Sequence, residues 1–129
     1  MAAERQELIL DLFERWNHGD REIDAAAVDP DAEVHSAMTR AVYRGYGGIK
    51  DWMAEIDEQF ESWQISVDEL RDVPDGSLVV LGRVHFRGRA SGVEFDQSIA
   101  WLIWFAGERI STMCIFSGHD RALEAAGLA

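Results

Sequence analysis

Four histidines are the side chains of this chain best suited to acid–base chemistry near neutral pH: His18, His35, His85 and His119. Their spacing contains neither His-x-His nor His-x-x-x-His, so the sequence predicts no metal site. The lone cysteine, Cys114, lies among apolar residues, where a buried thiol is usually inert. The chain has no Gly-x-Gly-x-x-Gly, P-loop or Gly-x-Ser-x-Gly pattern, and we therefore expect no cofactor.

Two of the histidines fall in segments that alternate like β-strands. His35 lies in Ala32–Ala37, a predicted short strand in which Val34 points one way and His35 the other. His85 lies in the longer segment Leu78–Arg89 and shares a face with several arginines. That face is predicted to meet solvent or a second subunit, with a place in a pocket as the alternative.

The next strand-like segment, Val93–Phe105, carries an amide on a largely apolar face. Alternate residues of one face are Phe95, Gln97, Ile99, Trp101, Ile103 and Phe105. We expect this face to line a pocket. Gln97 would then orient a ligand, or it would lie at the rim.

These segments belong to a stretch, Ser77–Ser117, around which the chain is organised. Leu78–Arg89, Val93–Phe105 and Arg109–Ser117 are rich in the β-branched and aromatic residues that favour strands. Short breaks that contain glycine separate them, and breaks of this length are typical of hairpins. The stretch therefore predicts a three-stranded antiparallel meander.

Two amphipathic helices are predicted before the meander, over Glu4–Trp16 and Gly48–Trp63. Their apolar stripes are Leu8, Ile9, Leu12, Phe13 and Trp16 in the first, and Ile49, Trp52, Met53, Ile56, Phe60 and Trp63 in the second. Helices followed by strands indicate an α+β fold. We expect a curved, mostly antiparallel sheet wrapped around the N-terminal helices, which forms a cone with an apolar interior.

The connecting segments contain weaker signals. We predict a short helix over Arg21–Ala27, capped by Asp20, and a turn at Asp29–Asp31. Thr39–Tyr46 is predicted to be irregular, Gln64–Asp72 to form a further strand and Asp120–Ala126 to form a terminal helix.

Composition limits the classes of partner. A chain of 129 residues with 47% hydrophobic residues predicts one folded domain over residues 1–129. A net charge of −12 argues against binding to nucleic acid or to an anionic membrane, and leaves a solubilising surface or steering of a cationic ligand. No apolar run reaches the roughly 18 residues of a membrane span, and the N-terminus has no signal-peptide pattern, so we expect a cytoplasmic protein.

Several segments together resemble the nuclear transport factor two-like superfamily, in the SnoaL-like branch near the ketosteroid isomerases. They are Trp16–Asp20, Asp29–His35, Tyr43–Gly45 with Gly48–Ile49, Arg109–Ile110 and Ala122–Leu128. The resemblance covers nearly the whole chain. It implies a cystatin-like cone or half-barrel, with a curved sheet around a helix, a deep pocket and often a homodimer formed through the outer sheet face. It does not imply a reaction, because these relatives include both enzymes and binding proteins.

The residues that act in the relatives have no equivalent at the matching positions. The isomerase tyrosine falls on Leu12, its carboxylate base on or near Ser36 and its oxyanion acid near Trp101. None of these side chains can do that work. The acid of SnoaL-like cyclases falls on Gly118.

Of the remaining titratable groups, His35 follows Val34 on the strand where relatives place a polar pocket residue. It is therefore the candidate acid–base catalyst. The predicted ligand-binding residues are Trp16, Tyr43, Trp52, Ile56, His85, Gln97, Trp101 and Met113. For Trp52, Trp101 and Met113, a plain place in the core is the alternative.

Three functions follow as hypotheses. The first is binding of a small apolar or polycyclic organic molecule without chemistry. The second is an isomerase, dehydratase or cyclase in which His35 is the acid–base and Tyr43 or Gln97 orients the substrate. The third is a dimerisation module for a protein partner, suggested by Leu102 and Trp104 on the other face of their strand. A homodimer is expected in each case.

Overall fold

The computed structural model describes residues 2–37 and 39–128, which form three helices and six strands. In chain order these are α1 (Ala2–Asn17), β1 (Val28–Ser36), β2 (Val42–Arg44), α2 (Gly45–Gln59), β3 (Phe60–Asp72), β4 (Leu78–Gly88), β5 (Glu94–Ala106), β6 (Arg109–Ser117) and α3 (His119–Ala125). The three meander strands and the terminal helix therefore lie within a residue or two of their predicted bounds.

The strands form one open, curled sheet in the order β2-β1-β6-β5-β4-β3. The pairs β3–β4, β4–β5, β5–β6 and β1–β2 are antiparallel, whereas β1 runs parallel to β6. The predicted α+β class with a curved, mostly antiparallel sheet is confirmed. The parallel pair arises because α2 and β3 carry the chain from one edge of the sheet to the other.

The inner face of the sheet packs against α1 and α2. The two helices contribute Ile9, Phe13 and Met53, each no more than 2% exposed. The sheet contributes alternate residues such as Val80 and Ile103, both 0% exposed. Burying a side chain of this size stabilises a fold by about 1.5–3 kcal/mol, so this layer dominates the stability.

The outer face carries a second apolar cluster beneath α3. Val79, Leu81, Ala100 and Leu102 are buried there with Ala122 of α3. Trp104, Cys114 and Phe116 border this outer cluster and are half-buried. Leu102 was expected to present an apolar surface to a partner, but it is 1% exposed because α3 covers it.

The predicted helix over Arg21–Ala27 is wrong. Asp20 accepts a hydrogen bond from the backbone N–H of Glu22, and Asp24 accepts one from that of Ala26. Each bond joins an aspartate side chain to the backbone N–H two residues later. Such bonds hold the segment in turns, which compete with a helix.

The predicted turn at Asp29–Asp31 lies within β1, which begins at Val28. The pairing of β1 with β6 shifts register between Val28 and Glu33, so this part of the strand is irregular. Pro30 has no N–H to donate and fits such an interruption. The segment predicted to be irregular, Thr39–Tyr46, contains the short strand β2.

The second helix is shorter than predicted at its C-terminus, because it ends at Gln59 and Phe60 is extended. Phe60 and Trp63 therefore belong to β3, which pairs with β4 from Phe60 onward. Arg89 donates hydrogen bonds to the carbonyls of Asp57 and Phe60, at 2.7 and 3.3 Å from Nη2. It thus satisfies acceptors that the end of a helix leaves open.

Candidate functional site

A cavity of about 270 Å³ lies between the inner face of the sheet and the helices α1 and α2. Every long strand contributes to its walls. The lining residues are Trp16, Ser36, Thr39, Trp52, Glu55, Ile56, Gln59, Phe60, Trp63, Ile65, Val84, Phe86, Gln97, Ile99, Trp101 and Ile115. A concave, mostly apolar site with a few polar groups is typical of small-molecule binding.

The floor of the cavity is built from buried aromatic and aliphatic side chains. Trp16 and Trp101 are 6% and 3% exposed. The ring of Phe13 lies 4.9 Å from that of Trp101 and 5.4 Å from that of Trp16, so it supports both tryptophans from behind. Trp52 meets Trp16 edge to face at 5.6 Å. Such pairs hold each other in place, which makes the floor rigid.

The mouth is formed by exposed polar residues of α2 and of the segment after β1. Thr39, Glu55 and Gln59 are exposed and line the cavity. The hydroxyl of Tyr43 donates a hydrogen bond of 2.5 Å to Oε2 of Glu55. This bond to the carboxylate raises the pKa of Tyr43, and partial burial adds to the effect. Tyr43 therefore stays protonated and holds Glu55 at the mouth.

Asp57 fastens the wall between α2 and β3. Its carboxylate accepts hydrogen bonds from Nε of Arg21 at 3.0 Å and from the indole N–H of Trp63 at 2.8 Å. Burial would raise the pKa of Asp57, but the bonds from Arg21 and Trp63 outweigh it and lower the pKa. The guanidinium of Arg21 lies 4.4 Å from the centre of the Trp63 ring.

Two neutral polar side chains face the interior. Ser36 is 7% exposed, and its Oγ accepts a long hydrogen bond of 3.4 Å from the N–H of Thr39. The amide of Gln97 donates to Oγ of Ser117 at 3.2 Å, which orients it at the end of the cavity. The side chains of Ser36 and Gln97 can exchange hydrogen bonds with a ligand, but neither is an acid or base near neutral pH.

Five of the predicted ligand-binding residues lie together in the cavity wall. They are Trp16, Trp52, Ile56, Gln97 and Trp101. Tyr43 is absent from the wall and reaches the site through Glu55. Met113 is 2% exposed and belongs to the core next to Trp16 and Trp52.

The structure places His35, the predicted catalyst, away from the cavity. Val34 and Ser36 point inward from β1, and a strand directs the intervening side chain to the opposite face. Nε2 of His35 lies 2.8 Å from Oε1 of Glu33, which also pairs with Arg44 at 3.1 Å. The bonds from His35 and then Arg44 lower the pKa of Glu33. We therefore correct the expectation that His35 lines the pocket.

His85 likewise lies on the outer face, because its neighbours Val84 and Phe86 line the cavity. Nδ1 of His85 is 2.5 Å from Asp96 and Nε2 is 3.0 Å from Glu94. The bond to Glu94, followed by the bond to Asp96, raises the pKa of His85. Of the predicted places for His85, the structure shows the outer face of the sheet and not the cavity.

The most informative residue that sequence reasoning missed is Glu55. Trp52, Glu55, Ile56 and Gln59 follow the i, i+3, i+4, i+7 spacing of one helix face, so the signal was present. The stripe predicted for this helix contains only apolar residues, so Glu55 is not among them. Phe60 belongs to the wall through β3 instead of the helix.

Within residues 2–37 and 39–128, no three His, Cys, Asp or Glu side chains are grouped so that they could hold a metal ion. None of the helices in these ranges is long and apolar enough to cross a lipid bilayer.

Comparison with solved structures shows the fold. TerC, co-crystallised with polyporic acid, superimposes with a TM-score of 0.79 at 16% identity over 95% of this chain and 97% of its own. A Catenulispora acidiphila protein with a ketosteroid isomerase-like fold, in complex with trimethylamine, gives 0.74 at 17% identity over 95% and 94%. A Jannaschia protein provisionally assigned as a SnoaL-like polyketide cyclase gives 0.78 at 20% identity over 98% and 93%.

The sequence comparisons point to one family. No curated protein sequence matches the chain significantly. The family model described as SnoaL-like domain matches residues 9–113, which run from the second half of α1 to the middle of β6. With this match over most of its length, the chain belongs to the SnoaL-like domain family.

Proposed function

We propose that this protein binds a small, largely apolar organic molecule in the cavity of the inner face. The observation that carries the proposal is an open space of about 270 Å³ walled by tryptophan, phenylalanine and aliphatic side chains. Packed interiors contain few voids larger than a water molecule, so a space of this size has a use. Related folds hold organic molecules, namely polyporic acid and trimethylamine.

Binding without chemistry is favoured by the composition of the wall. The positions that match the isomerase machinery are Leu12, Ser36 and Trp101. Leu12 is buried core, and the other two offer only neutral hydrogen-bonding groups. Among the described residues that line the cavity, Glu55 is the single ionisable side chain, and it is exposed.

A filled cavity tests the proposal. We expect the single variant Ile115→Trp to place an indole where the ligand would lie, while Val42→Trp adds the same group at a surface position that is 39% exposed. The probes are a graded series of neutral organic molecules with one to four rings. A ligand at 100 times its Kd adds about 2.7 kcal/mol to the free energy of unfolding, so binding appears as a higher Tm.

The expected result is a raised Tm for the parent and for Val42→Trp with at least one member of the series. Ile115→Trp should lose roughly tenfold in affinity for the same compound, a change of about 1.4 kcal/mol. Circular dichroism checks that the variant is folded. Equal binding by Ile115→Trp contradicts the proposal, as does a parent that binds no organic probe, neutral or charged.

An acid–base enzyme is the second candidate, and one observation favours it. The pair of Glu55 and Tyr43 stands at the cavity mouth, where a carboxylate could exchange a proton with a bound substrate. The geometry favours Glu55 over His35, which lies on the opposite side of its strand. If a substrate is found, Glu55→Gln should lower kcat by about a hundredfold or more, whereas His35→Gln should leave it unchanged.

The expected homodimer is a further proposal. Trp104, Cys114 and Phe116 at the border of the outer cluster would be its apolar centre. Light scattering measures the state directly. A monomer at micromolar concentration contradicts it, as does a dimer that Trp104→Lys leaves intact.

A further inference from the structure

The charge of the cavity wall is one-sided. Among the described lining residues there is no Lys, Arg or His, and Glu55 supplies the single formal charge. The chain as a whole has a net charge of −12. An anion would therefore meet no positively charged side chain among the described lining residues. A cation would be attracted by the net charge of the chain at long range and by Glu55 at the mouth.

Aromatic rings make up part of the cavity wall, beside aliphatic side chains. The rings of Trp16 and Trp52, which both line it, meet edge to face at an interplanar angle of 69°. Trp101, Phe60 and Phe86 add further rings to the same cavity. The faces of such rings attract ammonium groups, and indole does so most strongly.

Trp63 already makes such a cation–π contact within the chain. One side of its ring already carries the guanidinium of Arg21 at 4.4 Å. Arg21 is in turn paired with Asp57, and Arg89 nearby is held by backbone carbonyls. The charge of Arg21 is therefore balanced by Asp57, Arg89 is bound by backbone carbonyls, and neither arginine lines the cavity. Because Arg21 already occupies one side of the Trp63 ring, Trp63 is not among the rings proposed to receive a ligand.

Glu55 is arranged to serve as a counter-ion. Its Oε2 is held by Tyr43 at 2.5 Å, which restricts the side chain without supplying a positive charge. Within the described part of the chain, no donor reaches the other oxygen. A bound cation could therefore pair with that oxygen and keep its apolar body inside the cavity.

From these features we propose that the ligand is an organic cation: an ammonium group on a compact apolar body, with the ammonium between Glu55 and the indoles of Trp16 and Trp52. The inference rests on the proposed binding function and adds the chemical class. A volume of about 270 Å³ suits a body of one or two rings.

Three probes of one shape separate charge from size. Benzyltrimethylammonium is the cation, neopentylbenzene is its neutral isostere with carbon in place of nitrogen, and phenylmethanesulfonate is an anion of similar bulk. Titration with tryptophan fluorescence, at low and high salt, gives the Kd of each probe. We expect the cation to bind about tenfold tighter than the neutral isostere, and the anion to bind most weakly.

Two variants on the same helix assign the preference to one carboxylate. Glu55→Gln should weaken cation binding roughly three- to tenfold and leave the neutral isostere unchanged. Glu58→Gln removes the same charge from an exposed residue outside the wall and should keep the preference. Added salt should weaken binding of the cation alone.

The outcomes distinguish this inference from the function on which it rests. If the neutral isostere or the anion binds as tightly as the cation, and Ile115→Trp abolishes that binding, the cavity binds a ligand but the charge preference is wrong. If none of the three probes binds the parent, the cation proposal is wrong, and the graded neutral series decides the broader one. An equal loss of cation binding in Glu55→Gln and Glu58→Gln would reduce the effect to net charge and overturn the counter-ion role.

Discussion

The two faces of the sheet treat charge in opposite ways. Among the described residues that line the inner-face cavity, the single ionisable group is Glu55, which stands at the mouth. On the outer face, β3, β4 and β5 carry a row of exposed charges beside the apolar cluster under α3. They form close pairs between Arg83 and Asp68, Arg87 and Glu61, and His85 with Glu94 and Asp96.

The histidines were poor predictors of the cavity, whereas the tryptophans were good ones. Ion pairs in contact with water contribute little to stability. A histidine such as His85 can therefore lie among charged partners on the outer face. An indole buried against a helix has few alternatives to the interior. The apolar residues of the sequence therefore predicted the cavity wall better than the titratable residues did.

The largest effect should come from the inner face. Phe13 is 2% exposed and supports both Trp16 and Trp101. Phe13→Ala should lower the free energy of unfolding by about 3–5 kcal/mol, because it removes a buried ring and leaves a cavity. Urea denaturation measures the loss. Leu10→Ala on the same helix, at a position 41% exposed, is the control and should change it by less than about 0.5 kcal/mol.

The next effect tests the backbone that both faces share. A Cβ at Gly82 would lie 2.3 Å from the carbonyl oxygen of Ser66 on the neighbouring strand. Gly82→Ala should therefore destabilise the fold by about 1–3 kcal/mol, since β3 and β4 must separate locally. Gly47→Ala, at a residue of α2 where a Cβ meets no neighbour, should cost nothing. Equal midpoints for the two variants would contradict the close approach.

A smaller effect tests the cavity wall at low pH. The pKa of Asp57 is lowered in the folded state, so its contribution is present above its ordinary value of 3.8 and is lost as the pH falls through the folded pKa. Asp57→Asn should be less stable than the parent at pH 6, and the gap should close below pH 3.8. Asp51→Asn, at an exposed position of the same helix, should follow the parent throughout.

The smallest effect belongs to the outer face. The pKa of His85 is raised above its ordinary value of 6.5, so its contribution is complete below that pH and is lost as the pH rises through the folded pKa. His85→Gln should lower the urea midpoint slightly at pH 6 and leave it unchanged at pH 9. His18→Gln, whose side chain is 72% exposed, serves as the control. A difference that grows with pH would reverse the assignment.

Much of the fold was predictable from local signals. The meander strands were visible because their alternation is regular and their breaks are short. α1 was visible from its apolar spacing, as was the first part of α2. The end of α2 was missed because Phe60 and Trp63 continue the helical spacing while pairing with β4, so two signals compete for the same residues. The turns at Asp20 and Asp24 were missed for a related reason, since aspartate can cap a helix or replace one.

The candidate site was predictable only in part. Trp16, Trp52, Ile56, Gln97 and Trp101 were named because they lie on faces that must be buried. Glu55 was not predicted, because a charged residue beside an apolar stripe of a helix is usually solvated. Its position beside Tyr43 depends on how β2 approaches α2, and these two elements meet through the short connection at Arg44.

The sequence alone determined the class of fold, the faces of the strands and the apolar character of the interior, because all three depend on the period of side chains along one element. The tertiary structure decided that the layers leave a cavity, that His35 and His85 turn away from it, and that Glu55 stands at its mouth. Those features depend on the curl of the sheet and on the distance between elements, which no local pattern of residues encodes.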